Sequence, residues 1–160
     1  MKNIDNFFLI MLIFVSLPII CTMIPTGPVK FMTVTGNSME PTITESNIIV
    51  VNTLETQPNV GDIVSYYHIF GKNQRYIVTH RIVKVVDEGY ITQGDAYTKP
   101  DGYTVAPEDL VGTLFFKIPY IGLLVHIAST KKGFLALVIF PAVILIMQEV
   151  SNIIEQIKEK

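Results

Sequence analysis

An apolar run lies near each end of the chain, and the two decide what its 160 residues can become. Phe7 to Ile24 reads FFLIMLIFVSLPIICTMI, 18 residues without a charge. At a rise of about 1.5 Å per residue, that is near the minimum for crossing about 30 Å of hydrocarbon. A retained signal anchor fits better than a cleavable signal, because the run exceeds a usual apolar core and no small-x-small site follows at Cys21-Thr22-Met23. Pro18 is tolerable in a membrane helix, where neighbouring groups or water satisfy the freed carbonyl. Gly133 to Met147, GFLALVIFPAVILIM, is a second stretch of 15 residues, short for a span unless it starts nearer Tyr120 or the bilayer thins around it. A buried helix of a soluble core is its bland counterpart. Lys2 before the first run and Lys158 and Lys160 after the second point to cytoplasmic termini, with Lys131 and Lys132 weighing against this. The expected layout is an N-terminal end and anchor (1–24), one extracytoplasmic domain (25–132), a second transmembrane helix (133–147) and a cytoplasmic tail (148–160), integral to the cell membrane.

Several function classes fall away on charge and cysteine content. With 12 Lys+Arg against 14 Asp+Glu, the chain lacks the basic footprint that nucleic acid demands. The single cysteine, Cys21, lies inside the first apolar run. The middle of the chain therefore has no thiol for a disulfide, a zinc site or a nucleophile, and no metal or cofactor is expected.

Between the anchors the pattern is mostly β. Ser46 to Asn52, Asp62 to Phe70, Tyr76 to Val86 and Gly89 to Gln93 are rich in β-branched and aromatic residues and are separated by Gly, Pro, Asn and Asp. Two-residue alternation puts Val78, His80, Ile82 and Lys84 on one face of the third of these. Asp87-Glu88-Gly89 reads as the hairpin turn into the fourth. No helix-period segment is visible in this middle part.

Chemistry concentrates at a few positions. In Gly36-Asn37-Ser38-Met39-Glu40-Pro41-Thr42 a flexible glycine and a rigid proline bracket a hydroxyl about a dozen residues after the first anchor. That can expose Ser38 and aim backbone N–H groups at one point, although a serine before x-x-Pro is more often a turn or cap residue. A serine nucleophile needs a base that is unprotonated near neutrality, which histidine supplies and lysine does not without desolvation. Of His68, His80 and His126, only His80 sits mid-strand on an inward face; an ordinary buried histidine is the even alternative. A carboxylate must then orient the imidazole. Gly94 to Gly102 offers Asp95 and Asp101 after the strand paired with that of His80, with ordinary turn chemistry as the competing role.

Together these pieces resemble the type I signal peptidases, in the branch found in archaea, the endoplasmic reticulum and some Gram-positive bacteria. Gly36 to Thr42 is similar to the serine box, Val60-Gly61-Asp62-Ile63-Val64 to the strand after it, Thr79-His80-Arg81-Ile82-Val83 to the general-base box, and Gln93-Gly94-Asp95-Ala96 with Asp101 to the Gly-Asp box and downstream aspartate. The boxes come in the family's order behind an anchor and cover residues 7 to 115. The resemblance implies a small β-rich catalytic domain flanked by transmembrane helices. It further implies a membrane-bound serine endopeptidase that cleaves N-terminal signal peptides, with Ser38 as nucleophile and His80 in place of the lysine of the bacterial branch. Asp101 is implied as the third member and Asp95 as a supporting residue. Expected partners are signal peptides, membrane lipid and the protein export channel. Gly36 offers no hydroxyl to the oxyanion, so main-chain donors are expected, with a peptide pairing along a strand edge near Phe31 to Thr35 and shallow pockets for small side chains. Rivals are a self-cleaving Ser–Lys protease, for which a base lysine is missing, a non-catalytic membrane subunit keeping the fold, and a plain β adhesion domain.

Overall fold

The computed structural model describes residues 2–24, 27–55, 57–71 and 74–158. The expected domain start at Pro25 and the basic Lys160 lie outside them. The chain divides into two compact units, residues 22–122 and residues 1–21 with 123–160.

The first unit is a seven-stranded sheet in which every neighbouring pair is antiparallel. Its strands are β1 (Val29–Thr33), β2 (Ile48–Asn52), β3 (Ile63–Phe70), β4 (Gln74–Val86), β5 (Gly89–Gln93), β6 (Thr104–Val105) and β7 (Leu110–Ile118). They lie in the order β1-β2-β7-β3-β4-β5-β6. The last strand in sequence thus sits between β2 and β3, and within the sheet it is the link between the β1–β2 pair and the β3–β6 group. Apolar side chains close over the sheet in two clusters. Met39, Ile43, Ile49, Val51 and Ile63 form one, and Val64, Tyr66, Ile82, Tyr90 and Val105 form the other.

Strand β4 explains how the second cluster comes to hold a polar group. Val64 pairs with His80 and Tyr66 with Val78, so these four share a face, and His80 and Ile82 are buried on it. Lys84 does not join them. The β4–β5 register shifts between Ile82 and Lys84, with Ile82 opposite Thr92 and Lys84 opposite Ile91. Inserting Val83 against no partner reverses the alternation and sends Lys84 to solvent, correcting the face expected from simple period two.

The second unit is helical. Helix α1 (Lys2–Met23) runs through Pro18, and helix α2 (Ile121–Ser129) follows β7 after Tyr120, whose φ is 65°. The expectation of no helix before residue 132 is corrected by α2, whose short apolar sequence IGLLVHIAS fits either a strand or a helix by pattern alone. Helix α3 (Lys131–Lys158) is continuous, so residues 148–158 extend it. Val150, Ile153, Ile154 and Ile157 recur there at helical spacing, a stripe masked by the intervening polar residues. Within α3 the N–H of Phe140 bonds the carbonyl of Leu135, five residues back. Pro141 accounts for that wider turn, since it has no N–H to give and its ring would crowd the carbonyl of Leu137 in a regular helix. Asn6–Met23 and Lys131–Lys158 are long and apolar enough to cross a membrane.

Candidate active site

Ser38 lies on the tight turn between β1 and β2. The N–H of Glu40 bonds the carbonyl of Asn37 at 3.1 Å and that of Ile43 bonds Met39 at 2.8 Å, while Met39 and Ile43 plug into the first cluster. Anchored by two buried side chains, the turn leaves Ser38 half-buried at its lip. Its Oγ is 3.0 Å from Nε2 of His80. The other ring nitrogen, Nδ1, is 2.7 Å from Oδ2 of Asp101. Hydroxyl, imidazole and carboxylate, separated by 42 and 21 positions along the chain, form one hydrogen-bonded line. His80 is 6% exposed, dry enough for these contacts to matter.

The loop after β5 delivers the carboxylate. The Asp101 N–H bonds the carbonyl of Thr92 at 2.8 Å, and the Ala96 N–H bonds that of Ser38 at 2.9 Å, so one loop is tied both to the β5 strand and to the serine turn. Gly94 makes this approach possible. A Cβ there would sit 2.5 Å from the Ser38 carbonyl oxygen and 3.1 Å from Nε2 of His80. Tyr97 closes the other side, its ring edge-on to His80 at 6.3 Å between centroids.

Asp95 lies on the same loop and is engaged elsewhere. Arg81 is next to His80 and so points to the opposite face, where its Nε and Nη2 donate to the two Asp95 oxygens at 2.8 and 2.6 Å and its Nη1 donates to the Gly61 carbonyl at 2.8 Å. These Arg81 hydrogen bonds, with one from the Thr42 hydroxyl, hold the Asp95 carboxyl below the usual carboxylate range. The pair clamps the loop to β4 and to the serine turn. Because the folded value lies below the unfolded one, this stabilisation is complete above about pH 4 and is lost as the pH falls through the folded value. Asp95→Asn is therefore expected to lower unfolding free energy at pH 7 by about 1–3 kcal/mol, a gap that narrows below about pH 4. Denaturant titrations at the two pH values check this, and equal stabilities at pH 7 would overturn it.

Of the three histidines, His80 is the one that bonds Ser38. His68 stacks on Tyr103 with ring centroids 3.8 Å apart, and His126 is exposed on α2. Among the described residues no three His, Cys, Asp or Glu side chains converge as a metal site. Two buried hydroxyls that the sequence did not single out also reach the line. Thr92 donates to Oδ2 of Asp101 at 2.6 Å, and Tyr66 meets Thr92 at 3.0 Å.

The chain is similar to known proteins. Residues 14–92, just under half of the chain, match the peptidase S24-like family, a stretch that includes Ser38 and His80 and ends before Asp95. A signal peptidase complex catalytic subunit from Candida tropicalis is 31% identical over 113 residues, covering 63% of this chain. The match spans 66% of that relative's length, just short of two thirds.

Proposed function

We propose that this chain, a relative of the type I signal peptidases of the endoplasmic-reticulum-like branch, is a membrane-bound serine endopeptidase that removes signal peptides from exported preproteins. The observation that supports this most directly is the Ser38–His80–Asp101 line, at 3.0 and 2.7 Å. Ser38 Oγ attacks the scissile carbonyl carbon while its proton passes to Nε2 of His80. Collapse of the tetrahedral adduct breaks the C–N bond, the leaving amine takes that proton, and the acyl group stays on Ser38. Water then attacks the ester, gives its proton to His80, and the serine is regenerated. Asp101 keeps the Nδ1 proton in place so that Nε2 is free to accept. Main-chain N–H groups around Ser38 serve the oxyanion.

In this proposal both apolar helices cross the bilayer, the termini are cytoplasmic, and residues 25–132 face the extracytoplasmic side. Strand β1 supports a substrate mode: it ends the sheet, pairs with β2, and runs out five residues before Ser38. A peptide laid along its outer edge extends the sheet toward the hydroxyl, with small side chains before the cut. Lipid surrounds the anchors, and the export channel supplies the substrate.

The test is full-length protein in lipid vesicles, incubated with a preprotein segment carrying alanine before the cleavage point and, separately, with a serine-directed phosphonate. Single-site cleavage and an adduct mapped to Ser38 are expected. No cleavage and no adduct would favour a non-catalytic subunit. Gly94→Ala should lower kcat about a hundredfold in the same assay, because the added methyl must displace the Ser38 backbone or the ring. Unchanged kcat would show that the loop can yield without disturbing the site.

A further inference from the structure

The carboxylate end of the line continues into a buried chain of hydroxyls whose proton directions are fixed by counting. Oδ2 of Asp101 accepts from Nδ1 of His80 at 2.7 Å and from the Thr92 hydroxyl at 2.6 Å. A carboxylate can only accept, and Thr92 has one hydroxyl proton, so that proton is committed. The Thr92 oxygen therefore can only accept from its other neighbour, Tyr66, 3.0 Å away. Tyr66 has then used its proton, on Thr92 with a longer reach of 3.4 Å to Asp101, and must accept from Tyr103, whose hydroxyl is 3.0 Å from it. Every donor in the chain Tyr103, Tyr66, Thr92 is oriented toward Asp101.

The surroundings keep it so. Thr92 and Tyr66 are fully buried, which makes an unmet hydroxyl costly and an alternative hydrogen-bond pattern expensive. Burial pushes the Tyr66 hydroxyl far above the ordinary phenol range and that of Tyr103 upward, so both stay protonated donors. Tyr103 is itself packed flat against His68. The other ionisable groups beside the line, Tyr97 and the Arg81–Asp95 pair, make no hydrogen bond to Asp101.

We infer that Thr92 and Tyr66 are positioning residues, a directional hydroxyl relay that holds Asp101 in the one orientation from which it can fix the tautomer and tilt of His80. The inference rests on the proposed peptidase reaction for its kinetic consequence, although the hydrogen-bond arrangement can be read without it. Neither hydroxyl touches substrate. Their loss should therefore act through the imidazole, lowering kcat while KM stays nearly constant.

The experiment uses the full chain in vesicles for kinetics and in micelles for proton NMR of the low-field Nδ1–H resonance of His80. Thr92→Val, nearly the same shape, should lower kcat about ten- to a hundredfold with KM within about twofold, and should move or broaden that resonance. Thr92→Ser, which keeps the hydroxyl, should restore both. Tyr66→Phe should act in the same direction, and combined with Thr92→Val should add little, because both break one chain. Tyr66→Phe also carries the test should Thr92→Val not fold. An active protein with kcat and resonance unmoved in Thr92→Val and Tyr66→Phe overturns the relay and leaves the peptidase proposal standing. Equal loss in Thr92→Ser and Thr92→Val with an unmoved resonance also overturns it, since packing alone would do that. A protein that cleaves no peptide, but whose resonance moves in Thr92→Val and returns in Thr92→Ser, supports the relay and defeats the peptidase proposal.

Discussion

Full-length protein carrying Ser38→Ala is expected to cleave a preprotein roughly a million-fold more slowly than wild type, with KM changed by no more than a few fold. The size of the loss follows from what the hydroxyl does. In the proposed reaction it forms the bond to the scissile carbon, and no other nucleophile lies within hydrogen-bond distance of Nε2 of His80 among the contacts described. Binding along β1 and the oxyanion donors survive the substitution, so a residual rate of about 10³–10⁴ over water remains. His80→Ala should cost about as much, and the double variant little more, because the two groups act on one proton. Steady-state cleavage assays with active-site titration measure all three. Ser38→Ala within tenfold of wild type would refute the proposed chemistry, whatever the geometry.

Asp101→Asn should cost about 10⁴ in kcat with the fold intact. An asparagine amide fits the same space but can present an N–H to Nδ1. The ring then adopts the tautomer with its proton on Nε2, and a nitrogen that already bears a proton cannot take one from Ser38. Asp95→Asn in the same assay should show a loss of stability with a far smaller kinetic loss, since its partner is Arg81 on the other face of β4. If Asp95→Asn were the severe kinetic variant and Asp101→Asn the mild one, the two aspartates would have exchanged the roles proposed for them.

Much of this was legible because it is local. The β5 strand at Gly89–Gln93 and the turn at Asp87-Glu88-Gly89 follow from composition, and in the structure Gly89 takes a φ of 140° there. The inward face of His80 follows from alternation with Val78 and Ile82. Alternation failed two residues later, at Lys84, because an extra residue in one strand leaves no mark on the hydrophobic pattern. Choosing between Asp95 and Asp101 from the residues alone was not possible. Both sit in turn-forming sequence, and only the path of the loop decides which reaches Nδ1 and which reaches the guanidinium. Strand β7 was missed, its Leu110–Ile118 run being interrupted by Gly112 and followed directly by further apolar residues. Thr92 and Tyr66 carried no signal beyond being polar atoms on inward positions of strands, visible only once Asp101 was known to lie beside them.

The placing of β7 also governs when the sheet can close during synthesis. Ser38 belongs to the β1–β2 side of the sheet and His80 to the β3–β6 side, and the strand that pairs with both sides is the last of the seven to be synthesised. A nascent polypeptide extended only as far as residue 109 holds both groups of strands without the one that hydrogen-bonds to each of them. In the proposed peptidase the sheet that carries Ser38 and His80 would thus close only once β7 slots into its middle, after the other six strands have been made.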